Sequence, residues 1–403
     1  MKVGLVGTGA FAQNFIPLFK LHPLVEEVVL CDLDSDKLEK NMKKHDISKG
    51  SPSLDALLET DVDSVAIFTQ NWMHGPQAEK ALYAGKNVYS AVPAGITFEE
   101  VEKLVKAVKK SRKTYMIGET SYYYPEVIYC RQQFNAGKFG RIVYGEGEYY
   151  HDMDHGLYDV KKWRGGKDWK LIAGNPPMYY PTHSTSCIIS VTGAHMTHVS
   201  CQGFVDNHED GLFVKGVNKW DNEFSNESAL FRMSDGSSAR INEFRRIGHP
   251  GTVRMSLYGT KCSFEHNKHG AIWVTKNGKD FTIVDNLLTC APNPLKSELA
   301  EDKELMDKVK SEDGTHLGAA PIQDVKSLPK EYQGERNGHR GSHHFLIHDF
   351  ITCVERGLMP ANNIWQASRY MIPGLIAHES AIQGGILLPV PDFGPSPGKA
   401  VCR

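Results

Sequence analysis

The eight cysteines of the 403-residue chain form no C-x-x-C pair, which argues against a zinc ribbon or a redox dithiol. Cys31, Cys130, Cys187, Cys201, Cys262, Cys290, Cys353 and Cys402 are scattered. In a chain this long they read as buried or free thiols of a reducing compartment. A charge excess of one sign is also missing. The net charge of −2 sets up no field that would recruit nucleic acid or an anionic membrane. The densest basic run, Lys106 to Lys113, falls on a helix-like pattern and reads as a solvated face. No apolar run is long enough to span a bilayer. Met1 and Lys2 run straight into the strand-like Val3–Val6, leaving no room for an apolar targeting segment, so the expected location is cytoplasmic. A hydrophobic share of 40% against 23% charged residues argues against wholesale disorder. The length exceeds one ordinary core, so two domains are expected.

The first motif begins at once. Val3–Val6 is a short apolar run of the buried parallel-strand type, and Gly7-Thr8-Gly9-Ala10-Phe11-Ala12 after it matches G-x-G-x-x-A. Gly7 permits the tight turn, Gly9 lets the backbone approach a pyrophosphate, and Ala12 lets the next helix pack on the strand. The diphosphate is expected on the amides at that helix's N-terminus. A helical pattern through Phe11, Phe15, Leu18 and Phe19 leads to a second strand, Val28–Cys31, ending in Asp32. A carboxylate there accepts hydrogen bonds from the adenosine ribose and repels the extra phosphate of NADP, so NAD is the expected cofactor.

The alternation continues. Strand-like Val65–Phe68 precedes a helix around Gln77 to Ala84. Asn87–Tyr89 precedes a helix from Phe98 to Ser111, and the strand Tyr115–Gly118 follows. This predicts a doubly wound parallel sheet. The first domain is expected over 1–122 and the second over 123–403.

Further stretches carry a family resemblance. Thr69-Gln70-Asn71-Trp72-Met73-His74 resembles the T-P-N-x-x-H loop of the Gfo/Idh/MocA oxidoreductases, and Ala81–Val88 resembles their A-L-x-A-G-K-H-V segment. Trp163-Arg164 and Gly259-Thr260-Lys261 also fit. The resemblance runs from residue 1 to about 393. It implies a Rossmann domain followed by an α+β domain with an open, mostly antiparallel sheet. One face of that sheet would line the substrate site and the other would join subunits into a homodimer or homotetramer. It also implies cofactor contacts at Thr69, Asn71, His74, Val92, Pro93, Trp163 and Arg164.

The departures are informative. Family members carry E-K-P where this chain has Ala91-Val92-Pro93, so the usual lysine is absent. Their D-x-x-x-H motif falls on Tyr179 and His183, so only its histidine remains. Tyr180-Pro181-Thr182-His183 is similar to the Y-P-T-H segment of the superfamily's NAD-dependent α-N-acetylgalactosaminidases, which are glycoside hydrolases. That branch also resembles Gly147–Asp152, the stretch near His339–Ser342, and Val390–Phe393.

Hydride transfer requires a base for the hydroxyl proton and polar groups that orient a polyol. His183 is the first candidate base, because imidazole titrates near neutrality. Tyr180, three residues earlier, is placed to relay a proton, and Pro181 suits the first turn of a helix. In His151-Asp152-Met153-Asp154-His155, strand alternation puts His151, Met153 and His155 on one face, with Tyr149 on the same side. His151 is a catalytic candidate. Tyr149, Tyr179 and His343 are candidate substrate contacts, and no metal is expected. Glu119, after the last parallel strand, is expected at the ligand-binding edge. The aromatic density over Tyr122–Tyr124, Tyr149–Tyr150, Trp163, Trp169 and Tyr179–Tyr180 suits the apolar faces of a sugar. The irregular stretch Asn286 to Arg340 reads as a lid or binding loop, with His339 and His343 at its end. The expected activity is NAD-dependent oxidation of a sugar or glycoside. The alternative is a glycoside hydrolase that transiently oxidises its substrate with tightly held NAD.

Overall fold

Five short apolar runs, together with the polar strand Lys49–Ser51 that the sequence pattern did not announce, build the first parallel sheet. The computed structural model describes residues 1–398 and the backbone of 400–401, so Cys402 lies outside the described residues. The strands are β1 (Lys2–Val6), β2 (Glu27–Cys31), β3 (Lys49–Ser51), β4 (Ser64–Ile67), β5 (Asn87–Ser90) and β6 (Tyr115–Ile117). Their order is β3-β2-β1-β4-β5-β6, and every pairing is parallel. β1 therefore sits where the winding reverses. The loops after β1 and β4 leave in opposite directions there and open a crevice at the strands' carboxyl ends. The helices between strands are α1 (Ile16–Leu21), α2 (Ser35–His45), α3 (Leu54–Leu58), α4 (His74–Tyr83) and α5 (Phe98–Ser111). α5 shows how local signals fix an element. Thr97 caps it by accepting from the Glu100 amide, and Val101, Leu104, Val105 and Val108 form its buried stripe.

The helix expected directly after the glycine motif is split. A 3-10 turn, Ala12–Asn14, comes first, and α1 begins at Ile16. Pro17 explains the break, because it cannot donate to the Gln13 carbonyl and its ring crowds that group.

The chain makes two compact units, but not by one cut. Residues 1–125, 286–367 and the described residues from 394 onward form the first, and 126–285 with 368–393 form the second. The division expected from the sequence follows the first crossing and omits the later ones. The physical cause is core sharing. Leu328, Tyr332 and Phe345–Ile347 bury in the same cluster as Val3, Leu5, Phe15 and Phe19. The irregular stretch expected to act as a lid is thus largely part of the first unit. It leads into the helix Gly338–Arg356, whose entry holds His339, Arg340 and Gly341 at positive φ.

The second unit is built on β7 (Ile142–Tyr150), β8 (Met196–Val205), β9 (Phe224–Met233), β10 (Ser238–Phe244), β11 (Thr252–Gly259), β12 (Cys262–Asn267), β13 (Gly270–Thr275) and β14 (Phe281–Ile283). With the edge pair Leu388–Pro389 the order is β14-β13-β12-β11-β7-β10-β9-β8-edge. All pairings are antiparallel except β7 with β10. The helix Thr182–Thr192 lies on one face of this sheet. It comes so close to β7 that a Cβ on Gly147 would meet the Ser184 carbonyl oxygen at 2.3 Å. On the opposite face Glu148 is buried among Arg240, Asn242 and Arg254. Among the described residues seven cysteines are free thiols, and no helix is long and apolar enough to cross a membrane.

Candidate functional site

In the first unit, Gly7 has φ +86°, and a Cβ there would lie 3.0 Å from the Phe68 carbonyl carbon and oxygen. Only glycine fits this turn. Thr8 ties the motif to Asp32: its amide donates to Asp32 Oδ2 at 2.9 Å and its hydroxyl at 2.8 Å. The Lys37 ammonium pairs with the same oxygen at 2.8 Å. Burial alone would raise the Asp32 pKa, but the hydrogen bonds from Lys37 and Thr8 outweigh it and hold the carboxyl below its ordinary value. Asn41 and Gln13 both donate to the Thr8 carbonyl, which fixes the loop from behind. Ala10 is exposed, Gly9 is partly exposed and Ala12 is buried. The ring of Phe11 lies 5.8 Å from His339 and 6.1 Å from His343.

Thr69 and Asn71 follow β4 and are half-buried. His74 is 2% exposed. Its Nδ1 lies 2.9 Å from the Pro93 carbonyl and its Nε2 3.1 Å from that of Thr69. It therefore staples the β4 loop to the segment holding Val92 and Pro93, whose peptide bond is cis. Glu119 is fully buried, and its Oε1 accepts from the Ser121 amide and hydroxyl at 2.9 and 2.8 Å. It caps the turn Thr120–Tyr123. His343 also lies in this unit, buried, with its ring 4.3 Å from Phe15 and its Nε2 2.8 Å from His339 Nδ1. Burial and the neighbouring His339 keep it neutral.

The second unit gathers the other candidates. Tyr149, on β7, places its ring 5.2 Å from His183 and 6.2 Å from Tyr180, and Tyr180 lies 5.5 Å from His183. Tyr180 is not on the helix with His183. It ends the 3-10 turn Pro177–Tyr179, while Pro181 caps Thr182–Thr192. The Tyr149 hydroxyl lies 2.6 Å from His151 Nδ1. Tyr179 turns away from this group and packs its ring 5.1 Å from His378. Trp163 and Arg164 sit on the exposed helix Tyr158–Gly165, and Trp163 is 64% exposed.

The alternation expected for 151–155 is not found. The strand ends at Tyr150 and a wide turn, Met153–Leu157, begins. Asp152 causes the break, accepting from the Asp154 amide at 2.9 Å and the Ile247 amide at 2.6 Å. Met153 is consequently buried and His155 exposed. The expected aromatic cleft also divides. Tyr122 and Tyr123 belong to the first unit's core, while Tyr150 stacks on Phe244.

Glu243, Arg245 and Ser184 were not singled out from the sequence. Glu243 is fully buried beside Tyr149 in the β7–β10 register. It accepts from the Ser184 hydroxyl, and from Arg245 Nη2 at 3.0 Å. Burial raises its pKa to about 7, against the lowering effect of Arg245. The Arg245 guanidinium lies 5.0 Å from the centre of the Tyr149 ring. The available signal was a charged pair two residues apart on an otherwise alternating strand.

A reversal-point crevice with a glycine turn and a carboxylate at the end of the second strand is the arrangement of a dinucleotide-binding unit, joined here to a unit that clusters tyrosine and histidine. Comparison with known proteins agrees. Residues 1–119 match the model of the oxidoreductase family with an NAD-binding Rossmann fold, so the resemblance to the Gfo/Idh/MocA oxidoreductases holds. A glycosyl hydrolase family 109 protein of Streptomyces filamentosus is 23% identical over 98% of this chain and 77% of its own length. One from Shewanella amazonensis is 29% identical over 45% of this chain and 42% of its own. Among solved structures, levoglucosan dehydrogenase in complex with NADH superposes with a TM-score of 0.73 at 16% identity, covering 98% of this chain and 100% of that one. The scyllo-inositol dehydrogenase of Lactobacillus casei with NAD(H) and scyllo-inositol gives 0.67 at 16%, covering 96% and 98%. These likenesses show the same fold.

Proposed function

We propose that the protein is an NAD-dependent oxidoreductase that takes a hydride from a ring carbinol of a sugar or glycoside. The observation that carries this reading is the Tyr149–His151–Tyr180–His183 cluster in a chain whose other unit has an NAD-type loop. The residues fit the cofactor: the Gly7 turn leaves no space for a side chain, and Asp32 is positioned for a ribose. Gly7, Thr8, Gly9, Ala10, Phe11, Ala12 and Asp32 would hold the adenosine diphosphate half. Thr69, Asn71, Val92, Pro93 and Glu119 belong to the loops expected to hold the rest, and His74 shapes those loops. NAD, when bound, supplies the hydride acceptor. The aromatic rings pack on a sugar's apolar face, while the imidazoles and hydroxyls orient its hydroxyl groups and accept a proton.

The relatives' names favour one alternative: a glycoside hydrolase that oxidises, eliminates and reduces back without net redox. Tyr180-Pro181-Thr182-His183 and the absence of lysine at Val92 support it. Direct hydrolysis by two carboxylates is not what this cluster offers. Glu243 is committed to Ser184 and Arg245, and Glu227 to the Met178 amide and His378. We also read the protein as cytoplasmic, supported by its free thiols, and as a homodimer or homotetramer. The oligomer reading rests on the sheet face opposite the helix, where Phe204 and Leu230 are each 56% exposed.

The test mixes the purified protein with excess NAD and levoglucosan, scyllo-inositol or 4-nitrophenyl glycosides. NADH accumulation with intact glycoside establishes the dehydrogenase. Nitrophenol release over many turnovers without net NADH establishes the recycling hydrolase. Neither signal, from protein that binds NAD, overturns both readings.

A further inference from the structure

Within the second unit, we propose that Tyr149 is the group that accepts the substrate's hydroxyl proton, passing its own proton to His151, and that Arg245 positions Tyr149 for this. The proposal rests on the oxidoreductase reading and names the catalytic base within it.

The direction of the relay follows from hydrogen-bond bookkeeping. His151 Nε2 lies 3.3 Å from the carbonyl oxygen of His155. A carbonyl oxygen only accepts, so Nε2 carries the hydrogen of a neutral ring. Nδ1 is then bare and accepts, and the Tyr149 hydroxyl at 2.6 Å must donate to it. The phenol's only proton is thereby committed to His151. A sugar hydroxyl meeting that oxygen donates.

The surroundings fix the resting state of the relay and make the imidazolium at its end short-lived. Burial first, and Arg245 second, push the His151 pKa down to about 4, while its contact with the His155 carbonyl pulls the other way. His155 and His183 are the other titratable groups acting on it, and the neighbouring Asp152 carboxylate is engaged with the Asp154 and Ile247 amides. At neutral pH the imidazole is therefore an acceptor. The Arg245 cation over the Tyr149 ring favours negative charge developing on the phenol oxygen. Arg245 is fixed by Glu243 and by donating to the Phe244 carbonyl at 3.1 Å.

In the oxidative step the carbinol O–H bond breaks and its proton goes to Tyr149 Oη, while the Tyr149 proton goes to His151 Nδ1. The electron pair of the O–H bond becomes part of the new C=O, and the C–H pair leaves as hydride, for which NAD would be the acceptor when bound. His151 ends as imidazolium and, being a weak base, releases the proton to solvent. The same step opens both the dehydrogenase and the recycling-hydrolase sequences.

The test is imidazole nitrogen NMR on full-length protein with 15N-labelled histidine, comparing the native chain with Tyr149→Phe and assigning His151 by His151→Gln. The expected result at pH 7 is a neutral ring protonated at Nε2, whose Nδ1 resonance moves by several ppm in Tyr149→Phe. A ring protonated at Nδ1, or an Nδ1 resonance unmoved by Tyr149→Phe, overturns the relay whatever the enzyme proves to catalyse. Where the native chain turns over a 4-nitrophenyl glycoside or levoglucosan, Tyr149→Phe is expected to lose about 10²- to 10⁴-fold in kcat. His151→Gln is expected to make kcat rise with pH, because solvent hydroxide must then take the proton. A pH-independent His151→Gln with native kcat also overturns the proposal.

Discussion

Gly147 lies beneath the carbonyl oxygen of Ser184, at a distance that leaves no room for a side chain. This contact sets the height of the helix Thr182–Thr192 above β7, and thereby the approach of His183 to Tyr149. Gly147→Ala must push the helix outward, because the obstructing atom is backbone and cannot rotate away. The expected cost is at least about 1–3 kcal/mol of stability. A lower thermal midpoint together with impaired substrate turnover is the outcome to look for. A variant with native stability and activity would mean that the helix does not set this geometry.

Most of the parallel unit was legible in the sequence because five of its six strands are short, mostly apolar runs with a loop or helix signal after them; β3, Lys49-Gly50-Ser51, was not, because it is polar and owes its place to pairing with β2. The Gly7 turn and the place of Asp32 just after β2 could be read from spacing alone. The second unit was less legible. Tyr180 approaches His183 from the end of a 3-10 turn, with Pro181 capping the helix that follows, not along a helix face, and no periodicity encodes that. His151 could be named, but its partners could not, because Asp152 ends the strand where alternation would have continued it. The return of Tyr332 and Phe345 to the first core is a long-range event, invisible to any local pattern. Glu243 and Arg245 act through tertiary burial, which a strand's local sequence does not announce.

Asp32 both braces the Thr8 loop and faces the expected ribose, so Asp32→Ala removes two contributions at once. Hydrogen bonds to a charged group are worth about 1.5–3 kcal/mol, so NAD affinity should fall about tenfold to a hundredfold. Titration of tryptophan fluorescence with NAD measures this directly. An unchanged Kd would place the adenosine elsewhere.

Arg245 and Glu243 are a buried charged pair, 8% and 0% exposed in their side chains. Removing one partner of such a pair typically costs about 3–5 kcal/mol. In Arg245→Met the cost should depend on pH. The Glu243 carboxyl is already raised to about 7, chiefly by burial, and loss of Arg245 raises it further. A raised carboxyl contributes stability fully below about 4.5 and loses it as pH climbs through its folded pKa. Denaturant unfolding should therefore show a larger loss for Arg245→Met at pH 8 than at pH 6. Equal losses would mean that Glu243 does not titrate in this range.

Histidines buried in the first unit set the opposite trend towards acid. His22 is 1% exposed, its Nε2 is 3.1 Å from His348 Nδ1, and burial lowers its pKa to about 4. His344 is fully buried beside Tyr332 and His316, and burial first, then His316, lowers it to about 3. A base whose folded pKa is depressed gives stability above its unfolded value near 6.5 and loses it as pH falls towards the folded pKa. At pH 5 each of these two should cost about 2 kcal/mol, because the unfolded chain binds a proton that the folded one refuses. Glu243 works in the other direction between about 4.5 and 7 and reduces the net fall. The thermal midpoint should still drop by several degrees between pH 7.5 and pH 5, and His344→Gln should narrow that difference. A midpoint that stays level across this range would show that neither imidazole is refused its proton by the fold.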